Sequence, residues 1–148
     1  MSDRKQNSVG FALIKLHLDE FAIIDEAYKP SDNGISLVTA LNFATDKEYR
    51  IIKCTVKFKF EQEKSPFLVF AASCEFAIEP DAWDASVDSE KNQIVFPKKM
   101  MAHLAMLTVG TARGMLHVKT DNTDFNKFFL PTINVAEMIE EEDVVLDI

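Results

Sequence analysis

Apolar and polar residues alternate with period two along much of the first half of the chain. The clearest case is RIIKCTVKFKF, whose apolar parity comprises Ile52, Cys54, Val56, Phe58 and Phe60. The alternation recurs in ISLVTALNF and FLVFAASCEFAI, and residues 9–28 show it as one long strand or two broken ones. A period of two is typical of half-buried strands. Because short turns and the polar loop KPSDNG separate these segments, the pattern predicts an antiparallel meander with one packed and one solvated face.

The apolar spacing changes to three and four in FPKKMMAHLAMLTVGTARGMLHVKT, which predicts a long helix. Pro97 suits its first position. Gly110 and Gly114 each weaken a helix by about 1 kcal/mol relative to alanine, so they indicate close backbone packing or an end to the helix. A short second helix is predicted in LPTINVAEMIEEE, with Asn134 as its cap and Glu137 as its third residue.

Strands that come before helices are typical of an α+β fold, in which the helices cover one face of the sheet. The polar segment EPDAWDASVDSEKNQ between them predicts a loop or a short irregular insertion that Trp83 anchors. The 148 residues are 47% hydrophobic and show no shift in composition, so we expect a single domain over residues 1–148.

The net charge of −8 argues against a nucleic-acid partner, because no basic face is available for phosphates. The polar start MSDRKQNSVG lacks the apolar run of a signal peptide. No later run approaches the roughly 18 apolar residues that span a bilayer. These features predict a cytoplasmic protein without a membrane span.

The sequence offers no catalytic or metal-binding motif. His17, His103 and His117 fall on separate elements, and no phosphate-binding loop or nucleophile elbow occurs. We therefore expect no enzyme activity, no metal and no cofactor. Cys54 and Cys74 both lie in predicted strands and are interpreted as buried, reduced thiols, and their adjacency is left open.

Flexible and aromatic apolar residues are abundant, with 12 Phe and 6 Met in the chain. They fill a core between helix and sheet, or they line a surface that accepts varied apolar partners. The last apolar segment, LPTINVAEMI, runs directly into the acidic cluster 140–143. That cluster would end a helix with charge of the wrong sign for its dipole, so we expect it to stay hydrated and mobile.

Several short motifs resemble the SecB family of bacterial protein-export chaperones. In order they are QIVFP, the long helix, ARG and LPTINVAEMI. The matching residues are Ile94, Phe96, Pro97, Arg113, Gly114, Leu130, Pro131, Asn134 and Val135. The resemblance is strongest over residues 93–139. It implies a four-stranded antiparallel sheet with one long and one short helix on one face, assembled into a homotetramer that is a dimer of dimers.

For function, the resemblance implies an ATP-independent holdase that binds unfolded or partly folded polypeptide clients in an apolar groove. By position, the floor of this groove would be formed by Ile35, Leu37, Leu41 and Phe43. Its movable wall would be formed by Ile133, Val135, Met138 and Ile139. In this hypothesis the acidic cluster keeps the empty groove soluble.

The family docks its export motor ATPase on an acidic sheet surface, and Glu20 matches one of those positions. Phe70 falls near another, and the ending EEEDVVLDI differs from the family's usual end, so both departures argue against docking. Service to a dedicated client such as an antitoxin is the other possibility within the family. An alternative function of a different class is a small-molecule binder that encloses one apolar ligand between helix and sheet.

Overall fold

Four long strands form one antiparallel sheet. The computed structural model describes residues 10–30 and 34–148. The strands are β1 (Phe11–Ile23), β2 (Ile35–Asp46), β3 (Ile51–Gln62) and β4 (Ser65–Ile78), arranged in the order β1-β4-β3-β2. This confirms the predicted antiparallel sheet, but the predicted meander holds only for β2, β3 and β4, because β1 pairs with β4 and not with β2. The strand expected over residues 9–28 ends earlier, and a short 3-10 turn, Asp25–Ala27, follows it. Residue 9 and residues 31–33 of the predicted loop lie outside the described residues.

The two faces of the sheet differ in polarity. Along β3, alternate residues from Ile52 to Gln62 are buried, whereas Lys53, Lys57 and Lys59 lie half-buried on the opposite, open face. Strand β4 was expected to be solvated on that face, but it is buried on both faces over most of its length. It lies between β1 and β3, and its open-face residues Ala71 and Ser73 are small, so the longer side chains of the neighbouring strands cover them.

A 22-residue helix, α2 (Lys98–Lys119), packs on β3 and β4. It buries one face, formed by Met101, Leu104, Ala105, Thr108, Val109, Ala112 and Leu116. Pro97 is the residue before the helix and not its first residue. The helix continues through Gly110 and Gly114, so neither marks its end. A Cβ built at either glycine meets no atom within 4 Å, so neither glycine is needed for close packing within the described chain.

The segment EPDAWDASVDSEKNQ is not the predicted loop. Residues Pro80–Ser86 form helix α1, and a short strand β5 (Val87–Asp88) follows. Pro80 lies in the first turn, where its missing N–H costs nothing. Trp83 is the anchor that the sequence suggested. It is buried, with its ring 6.2 Å from that of Phe96.

A second, three-stranded sheet contains the last part of the chain. Its order is β5-β6-β7, where β6 is Gln93–Pro97 and β7 is Asp143–Asp147. Helix α3 (Val135–Met138) precedes β7 and packs on α2. The side chain of Asn134 makes no capping bond, and instead its backbone oxygen accepts from Glu137 N at 3.2 Å. The acidic cluster is exposed, as expected, but Asp143 is not mobile, because it begins a paired strand.

The two outer strands of the large sheet are protected to different degrees. Strand β1 carries two register shifts and the charged residues Lys15, Asp19 and Glu20. Strand β2 pairs with β3 without interruption, and β3 is its only paired strand within the described ranges. No charged residue and no proline occurs from Ile35 to Thr45. From Ile35 to Thr45, strand β2 therefore lacks the bulges, charges and prolines with which natural proteins usually protect an edge.

Cys54 and Cys74 are opposite each other on β3 and β4, and both thiols are free and buried. Burial raises the pKa of Cys54 to about 12, which a hydrogen bond with Thr108 opposes and the adjacent Cys74 reinforces. The predicted buried, reduced thiols are confirmed, and the open question of their adjacency is answered.

We expect Cys54 in the folded chain to stay unmodified by a thiol-specific disulfide reagent, even near pH 9.0, the ordinary pKa of a thiol. The reason is that only the thiolate attacks, and burial suppresses it. Absorbance of the released product, followed with and without denaturant, measures this. Modification of the native protein that accelerates with each step in pH from about 7 to 9 would contradict the expectation.

Candidate functional site

An open apolar groove runs between β1 and α2. Its volume is about 580 Å³, and its lining is almost entirely apolar apart from Thr111 and Lys119. The lining residues are Leu18, Gly110, Thr111, Gly114, Met115, Val118 and Lys119. We call this feature the β1–α2 groove.

Leu18, which forms the floor of the groove, belongs to a row of leucines that is set by the register of β1. Leu13, Leu16 and Leu18 are paired with Phe76, Cys74 and Ala72, whose side chains are in the core. Since α2 covers β3 and β4, the leucines on the neighbouring strand extend past the edge of the helix. They remain 49%, 49% and 40% exposed although they face the packed side of the sheet. A row of exposed leucines is thus placed beside the helix.

Two register shifts determine which residues of β1 join this row. Simple alternation groups Ile14 with Leu16 and Leu18. In the structure a shift between Leu13 and Lys15 leaves Ile14 without a partner and brings Leu13 to the packed side. A bulge adds one residue to a strand and so reverses the parity beyond it. The sequence pattern therefore identified the apolar strand but not the correct members of its row.

The wall of the groove depends on the two glycines of α2. Gly110 and Gly114 are four residues apart and lie on the same face of the helix. Without side chains at these positions, Leu18 on β1 and Met115 on the helix border an open channel. Each glycine costs the helix about 1 kcal/mol relative to alanine. The glycines were noticed in the sequence, but their role in shaping a groove was not predicted.

The predicted groove floor lies at the opposite edge of the large sheet. On β2, Leu37, Leu41 and Phe43 are half-buried against the core, while Ile35 is exposed. Their neighbours on β3 are Phe60, Val56 and Cys54, so the floor residues point toward the packed side.

The predicted movable wall is largely part of the core. Val135 and Ile139 are buried, and Ile133 and Met138 are half-buried. Ile133 and Val135 line a hollow of about 300 Å³ that they share with Ala102 and Met106 of α2. A client can reach Val135 and Ile139 only if this segment moves. Strand β7, near the end of the chain, does contact β2. The Thr45 hydroxyl on β2 donates a hydrogen bond to the backbone oxygen of Asp147 at 2.8 Å.

The open face of the sheet carries paired charges. Glu20 and Lys57 flank Ala71 on either side, and Lys57 Nζ lies 2.8 Å from Glu20 Oε2. His17 hydrogen-bonds Glu75, and Ser73 Oγ donates to Asp19. Phe70, by contrast, is buried on the packed side. The predicted docking residue Glu20 is thus already paired within the chain.

We expect the pair formed by His17 and Glu75 to contribute an acid-dependent part of the stability. The hydrogen bond from His17 lowers the pKa of Glu75 below its ordinary 4.5, and the charges of Lys15 and Lys53 act in the same direction. A lowered pKa stabilises the folded state above pH 4.5, and this contribution is lost as the pH falls through the folded value. Thermal unfolding of Glu75→Gln should therefore depend less on pH below 4.5 than that of the wild type, with the exposed Glu63→Gln as control. Parallel curves for all three proteins would contradict the assignment.

Comparisons of the chain with protein-family models, with curated proteins and with solved structures find no match. Within residues 10–30 and 34–148, no three His, Cys, Asp or Glu side chains are grouped so that they could hold a metal ion. In the same ranges no helix has the length and apolar character needed to cross a membrane.

Proposed function

We propose that this protein is an ATP-independent holdase that binds unfolded or partly folded polypeptides in the β1–α2 groove. The observation that carries the proposal is the open apolar groove itself, on a chain with a net charge of −8. Exposed apolar surfaces of this kind mark interaction sites on soluble proteins. Unfolded chains expose the apolar side chains that such a groove can bury.

The chemistry of the groove suits clients of varied sequence. Burial of one apolar side chain contributes about 1.5–3 kcal/mol, so two or three along an extended client give useful affinity. The groove contains the flexible side chain of Met115, which can adapt to different partners. No charged side chain except Lys119 contributes to the lining.

The resemblance to the SecB family supports the same function. Two of its motifs are joined in the structure, because Arg113 Nε donates to Leu130 O at 3.0 Å and Arg113 Nη2 donates to Pro131 O at 2.9 Å. These bonds connect the middle of α2 to the segment before α3. The proposal places the protein in the cytoplasm, where it acts either in export together with an export motor ATPase or for a dedicated client.

Assembly into a homotetramer is a further part of the proposal. Strands β1 and β2 are both outer strands, and pairing between copies would cover such an edge. Light scattering should then give the mass of four chains of 16.7 kDa each.

The test of the proposed function is the aggregation of a chemically unfolded client, followed by light scattering with and without the protein and with no ATP present. We expect suppression at about one client per assembly. Normal aggregation at a several-fold excess of the protein would reject the holdase function.

A small apolar ligand is the second candidate for the same groove. Its volume of about 580 Å³ lies within the range of small-molecule sites, roughly 300–1,000 Å³. Such sites usually enclose most of their ligand, whereas this groove is open to solvent. Mass spectrometry of an organic extract of the purified protein separates the two candidates, since a co-purifying lipid-like compound would favour the ligand.

A further inference from the structure

Strand β7 is held in place by the same contacts that an added peptide strand would make. It pairs with β6 from Gln93↔Asp147 to Pro97↔Asp143, and it contacts β2 and α2. Its inward residues Val144 and Leu146, with Ile148 after the strand, are half-buried against the core. Its outward residues Asp143, Val145 and Asp147 are exposed. Backbone pairing combined with alternate apolar side chains is how proteins recognise extended peptides.

The attachment of β7 is limited compared with that of the central strands. Strand β4 has 14 residues, most of them buried, whereas β7 has five and none fully buried. The residues 140–142 before it are exposed carboxylates, and Asp143 and Asp147 add two more on the strand itself. The side chains of these carboxylates are exposed and bury no apolar surface, so they add little that holds the strand in place. Release would leave the edge of β6 unpaired, with the buried Ile94 and Phe96 beside it.

We propose that β7 is a resident occupant of a peptide-binding cleft on β6, and that an extended polypeptide with apolar residues at alternate positions can displace it. This inference rests on the proposed function and adds a second binding site to it. The pattern of β7 itself, with apolar Val144 and Leu146 facing inward at alternate positions, defines the kind of peptide that the cleft accepts. Because the cleft must first open, the apparent affinity for a client equals the affinity of the open cleft multiplied by the fraction of molecules in which β7 is detached.

The probe is a fluorescently labelled peptide with the sequence of residues 140–148, EEEDVVLDI. Its binding to the full-length protein is measured by anisotropy. In Val144→Asn/Leu146→Asn the resident strand loses two apolar anchors, so we expect at least tenfold tighter binding of the peptide than in the wild type. Val145→Asn changes an exposed residue of the same strand and should leave binding unchanged. A peptide with both V144N and L146N should not bind to any of the proteins.

A second variant fixes β7 in place. Val95 and Val145 are register partners on β6 and β7. The bonds from Lys98 N to Glu142 O and from Ile148 N to Asn92 O place the even-numbered residues of β6 in hydrogen-bonded pairs. Val95 and Val145 therefore form a non-hydrogen-bonded pair, with Cα atoms about 4.5 Å apart, which a disulfide can bridge. In Val95→Cys/Val145→Cys we expect the oxidised form to bind the peptide at least tenfold more weakly than the reduced form, with wild type treated with the same oxidant as control.

Equal binding by the oxidised and reduced forms would overturn the proposal, as would the absence of any gain in V144N/L146N. If circular dichroism shows that V144N/L146N is unfolded, the proposal is tested by two other measurements. These are peptide binding by the cysteine variant and amide hydrogen exchange of the wild type. Exchange of the β7 amides should be at least a hundredfold faster than in β4, and equally slow exchange would show that β7 leaves only on global unfolding.

None of these measurements uses a denatured client. Peptide exchange without suppression of aggregation would reject the proposed function alone, and the reverse result would reject only the displacement of β7.

Discussion

Replacement of Phe67 by alanine is expected to lower the free energy of unfolding by about 3–5 kcal/mol. Phe67 is fully buried at the start of β4, and four other rings surround it. The distances between ring centroids are 4.9 Å to Tyr28, 5.1 Å to Phe128, 6.0 Å to Phe125 and 6.4 Å to Phe60. The mutation therefore leaves a cavity where three separate segments of the chain meet.

The size of this effect depends on how far the cavity can collapse. Tyr28 follows the 3-10 turn after β1, and Phe125 belongs to a 3-10 turn, Asp124–Lys127, after α2. The Tyr28 segment is held by the side chain of Gln62, which makes two hydrogen bonds to the backbone of Lys29, at 2.7 and 3.0 Å. The Phe125 segment is held by Asn126 Nδ2, which donates to His117 O at 2.9 Å. Equilibrium denaturation measures the change. Phe129→Ala, at an exposed ring nearby, should change stability by no more than about 0.5 kcal/mol. A loss below about 1.5 kcal/mol for Phe67→Ala would contradict the assignment of this cluster to the core.

The double substitution Leu18→Asp/Met115→Asp is expected to abolish client holding, with at least a tenfold loss in affinity for an unfolded client. Leu18 is on the floor of the β1–α2 groove and Met115 is on its wall, and neither is fully buried. A client side chain placed between two carboxylates would have to desolvate them, which costs more than its own burial contributes. We expect the variant to fold, because Leu18 is exposed and Met115 is only half-buried.

The matched control is Val38→Asp/Leu107→Asp, which adds the same charge at one exposed strand residue and one exposed helix residue that line neither the β1–α2 groove nor the hollow beside Val135. Both variants are tested in the aggregation assay, with the mass in solution recorded. Retained holding by Leu18→Asp/Met115→Asp would place the client elsewhere. Leu41→Asp/Met138→Asp then tests the surface predicted from the sequence. A reduced mass with the groove variant alone would show that the groove joins copies of the chain and is not the client site.

The sequence predicted the central part of the fold correctly because burial there follows a simple period. On β3 the buried and half-buried residues alternate without exception. The period of α2 was recognisable for the same reason. Helix α1 was missed because seven residues, rich in aspartate, are too short to establish a period. Strand β7 was missed because the acidic run before it obscured the alternation of Val144 and Leu146.

The groove could not be predicted because it depends on tertiary placement. Whether Leu13, Leu16 and Leu18 are covered depends on which strands α2 crosses, and no local pattern encodes this. The register shifts in β1 also changed the membership of the row. A floor on β2 was inferred from a family resemblance, and in the structure it lies at the other edge of the sheet, with Leu37, Leu41 and Phe43 half-buried and Ile35 exposed. The exposed glycines of α2 were the one local signal for this surface.

The uncharged edge of β2 has a consequence for the colloidal behaviour of the protein. Eleven consecutive residues without charge, proline or bulge offer their free backbone groups to any extended chain, including an unfolded molecule of the same protein. The net charge of −8 on the rest of the molecule provides the repulsion that keeps folded copies apart. Salt weakens that repulsion, since the screening length is about 8 Å at physiological ionic strength. We therefore expect the ionic strength of the solution to set the concentration at which copies of this chain begin to associate through the edge of β2.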